Sequence, residues 1–90
     1  MFSSVQRIIA EQLLNSVFAF DFSKFEKETG VGQGELEGMI ESIRSGKEDQ
    51  LDGNKLKAVL TVAAEFADPE EIHPLTGYSW QEVQGLIKSL

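Results

Sequence analysis

Few residues of this chain have the chemistry for catalysis or metal binding. His73 is the only histidine, and it stands three residues after Glu70. At that spacing a glutamate and a histidine share one helical face, and paired copies of such a motif hold two metal ions in carboxylate bundles. Here no second pair exists, and Pro74 directly after the histidine interrupts any helix that would present it. The segment EDQLDGN, residues 48 to 54, has the outline of a calcium loop. Counted from Asp49, its third ligand position is Leu51 and its twelfth is Leu60, so the required oxygens are missing. Ser3, Ser23 and Ser79 stand where helices begin, and a single imidazole cannot serve as base for a nucleophile elsewhere. GVGQGELEG has closely spaced glycines but no preceding strand and no lysine for a phosphate. With no cysteine, thiolate metal sites and thiol nucleophiles are also excluded. The expectation is a protein that is not an enzyme and carries no metal or cofactor.

The elements that would position these residues announce themselves by their caps. Ser3-Ser4-Val5-Gln6, Ser23-Lys24-Phe25-Glu26 and Ser79-Trp80-Gln81-Glu82 each fit a capping box, in which hydroxyl and carboxyl or amide oxygens satisfy free N–H groups. Behind the first box, Val5, Ile8, Ile9, Leu13, Val17 and Phe18 keep helical spacing and predict one amphipathic helix to about Ala19. Gly30 closes a short second helix, because glycine takes the left-handed position at little cost. Leu36, Met39, Ile40 and Ile43 form the next stripe, which Gly46 stops. Asp52 caps a helix carrying Leu56, Val59, Leu60, Ala63 and Phe66, and its VAAEFA run predicts a close helix crossing. Asp68-Pro69 ends that helix or starts a brief turn near 69–73, and Pro74 prevents its continuation. Trp80, Val83, Ile87 and Leu90 form the last stripe, with Tyr78 stapling onto Val83. No segment alternates with period two. The chain therefore reads as all-α: a single domain over 1–90, a compact bundle of four to five short helices with a helix-turn-helix-like pair at about 23–45.

That pair, SKFEKETGVGQGELEGMIESI, resembles the two-helix heart of the phage-repressor type of helix-turn-helix, with Phe25 as inward anchor, Gly30 at the turn and Val31 beneath it. The resemblance implies a transcriptional regulator, or a subunit of one, whose second helix reads DNA. The charges oppose it. With Leu36, Met39, Ile40 and Ile43 inward, the outward face carries Gln33, Gly34, Glu35, Glu37, Gly38 and Glu41. A reader needs donors toward base edges and phosphates. Each carboxylate about 7 Å from a phosphate instead costs on the order of 0.5 kcal/mol before salt screening.

Fifteen Asp and Glu against eight Lys and Arg give a formal charge of −7, which repels nucleic acid and anionic membrane and attracts basic proteins. A content of 41% hydrophobic residues excludes a disordered chain. The N-terminal region is interrupted by Glu11, Gln12 and Asn15, too early for a spanning helix, and it has no cleavage signature, so the expected compartment is the cytoplasm. The candidate partner-binding residues are Glu35, Glu37 and Glu41, together with Asp68, Glu70 and Glu71. They suit an inhibitor or immunity-type protein that covers the cationic face of a nuclease-like partner. An acidic assembly or chaperone subunit is the other alternative, with a homodimer seam formed by Phe2, Phe18, Phe20, Phe22 and Phe25.

Overall fold

The computed structural model describes residues 2–19, 21–67 and 69–89, and within the last stretch only the backbone of Pro69, Glu71, Ile72 and Leu75. Six α-helices follow one another among these residues: α1 (Ser4–Val17), α2 (Phe22–Thr29), α3 (Gln33–Arg44), α4 (Gly53–Phe66), α5 (Pro69–Thr76) and α6 (Trp80–Ser89). A 3₁₀ turn, Glu48–Gln50, joins α3 to α4. The all-α bundle expected from the sequence is the one observed.

The caps explain most boundaries. Ser3 Oγ accepts from the Gln6 N–H at 3.1 Å while Gln6 Oε1 accepts from the Ser3 N–H at 2.8 Å, the reciprocal pair expected at the start of α1. Asp52 Oδ1 takes the N–H groups of Asn54 and Lys55 at the start of α4, and Ser79 Oγ takes that of Glu82 at the start of α6. Gly30 closes α2 at φ +73°. Gly46, at φ +75°, lets the chain double back so that Lys47 N–H reaches Ser42 O and Gly46 N–H reaches Ile43 O, a Schellman ending for α3.

Two local expectations are corrected. Asp21, not Ser23, caps α2, accepting from the Lys24 N–H at 3.3 Å. Aspartate and serine cap about equally well, and starting at Asp21 brings Phe22 into the helix one turn before Phe25, where the two rings lie 6.0 Å apart. Pro74 does not end the segment after Phe66 either, because it lies inside the eight-residue α5. α5 ends two residues after Pro74, at Thr76, and Gly77, at φ +80°, donates its N–H to His73 O at 2.7 Å.

The core is built around α1, which packs against α3, α4 and α5, while α2 and α6 pack on α4. Ile9, Ala10, Leu13, Leu14 and Val17 form its buried face. Val5 and Ile8, expected in that stripe, are instead 44% exposed. They sit more than about 90° round the helix from the centre of the buried run, so a helix covered by three neighbours turns them to solvent. The inward residues expected of α3 and α4, Leu36, Met39, Ile40, Ile43, Leu56, Val59, Leu60 and Ala63, are all buried. Phe18, Phe22, Phe25 and Phe66 make a chain of ring contacts, centroids 5.5 to 6.0 Å apart, from the end of α1 to the end of α4. Phe20 lies outside the described residues, as does Leu90 of the last stripe.

Phe25, fully buried in that chain, is the test of the core. Phe25→Ala should destabilise the fold by about 3–5 kcal/mol, whereas Val5→Ser with Ile8→Ser should stay within about 1 kcal/mol of wild type, both measured by urea denaturation.

Candidate protein-interaction surface

α3 presents all three of its candidate glutamates to solvent, but not together. Residues two apart on a helix lie about 200° round from one another, so Glu35 faces one flank and Glu37 the other. On the first flank Glu35 forms an ion pair with Lys55 at the start of α4, beside a recess floored by Met39 and Leu51. On the second, Glu37 and Glu41 stand one turn apart beside a groove between α1 and α3, with Asn15, Phe18, Ile40 and Arg44 completing its lining. Arg44 Nε contacts Glu11 Oε1 at 2.9 Å and its Nη1 contacts Glu41 Oε2 at 3.4 Å. Gln33 Nε2 donates to Glu37 at 3.3 Å. The single plateau of three glutamates expected from the sequence is therefore two separate flanks, each with its own internal cation. Exposed pairs of this kind contribute about 0–1 kcal/mol. One arginine among Glu11, Glu37 and Glu41 leaves the second flank net negative.

The other acidic cluster is placed only in part. Glu70 is exposed on α5, Asp68 lies outside the described residues, and Glu71 is described by its backbone alone. His73 is exposed on the same helix. Among the described residues no three His, Asp or Glu side chains gather to hold a metal ion.

Around α4 two recesses share Glu65. One, of about 310 Å³, is lined by Asp21, Lys24, Glu65 and Phe66, and Lys24 Nζ lies 5.6 Å from the centroid of the Phe66 ring. The other, of about 300 Å³, runs between α4 and α6: Ala64, Ala67 and Ile87 are buried at its floor, Thr61, Trp80 and Gln84 are half-buried, and Glu65 is exposed at its lip. Trp80 and Phe66, expected in the apolar stripes of their helices, pack against the core and each also lines an open recess.

Glu48, the first residue of the polar segment EDQLDGN, is only 4% exposed. Its Oε1 accepts from the Phe2 N–H at 2.9 Å and from Arg7 Nη2 at 2.7 Å, while Arg7 Nε donates to Ile43 O at 2.9 Å. Burial opposes ionisation of this carboxyl, but the backbone N–H donors of Phe2 and of Glu48 itself, with the Arg7 guanidinium, outweigh it and hold its pKa below the usual glutamate range. A folded-state pKa lowered in this way gives stability that is complete above the unfolded value, about 4.3, and is lost as pH falls through the folded one. Glu48→Gln should therefore cost about 1–3 kcal/mol at pH 7, and it should flatten the acid limb of stability against pH below about 4.3. Urea melts of both proteins from pH 7 to pH 2 measure the two effects together.

No protein-family model, curated protein or solved structure matches this chain, so these surfaces are what a functional assignment has to rest on.

Proposed function

We propose that this chain is a non-enzymatic protein-binding domain that captures a basic protein surface. In its sharpest form it is an inhibitor or immunity-type protein laid over the cationic, nucleic-acid-binding face of a nuclease-like partner. The observation that carries the reading is the distribution of charge. Arg7 is engaged with Glu48, Arg44 with Glu11 and Glu41, and Lys55 with Glu35, while Glu37 and Glu65 line open recesses at the surface, Glu37 with Glu41 beside it. A net charge of −7 spread over so small a domain produces a field that steers a cationic partner into encounter, and paired carboxylates then stand where phosphates would. Binding of this kind weakens with salt, because charges farther apart than about 8 Å are screened at physiological ionic strength.

The same charges weigh against DNA reading by the α2–α3 pair. Three residues, Gly30 to Gly32, join those helices, a connection of the length used in helix-turn-helix motifs. The cation on α3 is Arg44, at its C-terminal end and already between Glu11 and Glu41. A duplex is held by several phosphate contacts at once, each contributing to a steep salt dependence.

Charge reversal on the α1–α3 flank tests the proposal. Proteins from a native lysate that bind the immobilised domain and elute with salt should be basic, and Glu37→Lys with Glu41→Lys should weaken their retention by about tenfold or more with the helical circular dichroism unchanged. Retention that survives the double reversal would place the contact elsewhere. A duplex fragment shifted tightly and salt-sensitively by the wild-type chain at low ionic strength would favour the regulator instead.

A further inference from the structure

We infer that the groove between α4 and α6 seats an arginine side chain of the basic partner. The inference rests on the proposed function and names one of its contacts. Its starting point is the pair of recesses that meet at Glu65. Both combine an aromatic residue with a carboxylate at the surface, a combination that suits a cation with an apolar stem, since the ring quadrupole attracts the charge and the carboxylate pairs with it. In the recess made by Asp21, Glu65 and Phe66 that cation is supplied from within the chain, by Lys24 lying over the Phe66 ring. The second recess has Trp80 and Glu65 in the corresponding roles, yet among the described residues no lysine or arginine lines it.

The second recess takes its shape from the Trp80 wall and the Glu65 lip. Ala64 and Ala67, at its floor, are buried at 2% and 3% exposure. About 300 Å³ is enough to admit one long side chain and too little for a helix. An arginine fits these walls better than a lysine. Its planar guanidinium stacks on an indole and can pair with a carboxylate through two N–H groups at once, whereas an ammonium is more strongly hydrated and makes no planar contact. Its methylene stem would lie between Trp80 and Thr61, above the buried floor of Ala64, Ala67 and Ile87, and its head would reach Glu65, with Gln84 offering a further acceptor.

Trp80 is the only tryptophan, so its fluorescence reports on this groove alone. The probe is a blocked tri-arginine peptide titrated at low salt, with the neutral tri-citrulline peptide as control. Trp80 emission should change saturably with the arginine peptide and not with the citrulline one. Amide ¹H–¹⁵N resonances of Thr61, Ala64 and Gln84 should move with the same midpoint. Glu65→Gln should weaken that midpoint about threefold to fivefold, with an unchanged urea melt showing that the fold is kept. A midpoint unaffected by Glu65→Gln would overturn the seat. So would a peptide that shifts amides around Glu37 and Glu41 while Trp80 stays silent, although the acidic-partner reading would then stand. Failure of the arginine peptide to bind anywhere on the chain would remove both.

Discussion

The contact on which the placement of the helices depends is the clasp of Glu48, Arg7 and the Phe2 amide. It joins parts of the chain that no local rule connects: the residue before the first cap, the second turn of α1, the last turn of α3 and the 3₁₀ turn. Arg7 also donates to the Ile43 carbonyl, one of the acceptors that the end of α3 exposes as it passes through Gly46. Burying a carboxylate is costly unless donors compensate it, and here two N–H groups converge on Oε1 while Oε2 has no hydrogen-bond partner among the described residues and the Arg7 side chain stays 28% exposed. An ion pair in that setting contributes less to net stability than to the choice of arrangement. It ties the start of α1 to the end of α3 and the 3₁₀ turn, beside the buried stripe of Leu36, Met39, Ile40 and Ile43 that decides which face of α3 turns outward.

That orientation divides the surface chemistry. The cations that contact other elements point inward or along helix seams: Arg7 toward Glu48, Arg44 across to Glu11 on α1, Lys55 across to Glu35 on α3. They serve to join helices. Glu37 and Glu65 face outward, each at the edge of an open recess. Long-range attraction depends on the sum and short-range selectivity on the recesses, because a field of several kT brings many basic proteins close while a groove admits only a side chain of matching shape. On the proposed reading, the Glu37–Glu41 flank supplies attraction and the recesses supply selectivity.

What the sequence made legible was local. Ser3, Asp52, Ser79, Gly30 and Gly46 all take the cap or turn positions their types suggest, since each acts on N–H or carbonyl groups within a few residues of itself. The buried stripes of α3 and α4 were readable for the same reason. The misplaced residues are those decided by distant ones. Glu48 looks like one more acid in a polar loop until Arg7, 41 residues away, is brought against it. Val5 and Ile8 obey helical spacing, yet which face of α1 is buried depends on α3, α4 and α5 closing round the other side. The separation of Glu35 from Glu37 is a different case, for two residues at about 100° each cannot share a face, and the composition of the segment concealed its geometry.

The alanines of α4 serve packing, and larger neighbours shape the recess above them. VAAEFA predicted a close helix crossing, and Ala63 and Ala64 are indeed buried where α4 meets its neighbours. Small side chains allow that approach only over the length of the contact, however. Where α6 begins, Trp80 is too large to follow the same path, and it stands half-buried against the core with Ala67 beneath the open space beside it. Ala64 and Ala67 are themselves almost wholly covered, so the recess owes its shape to the Trp80 wall and the Glu65 lip more than to missing bulk beneath them.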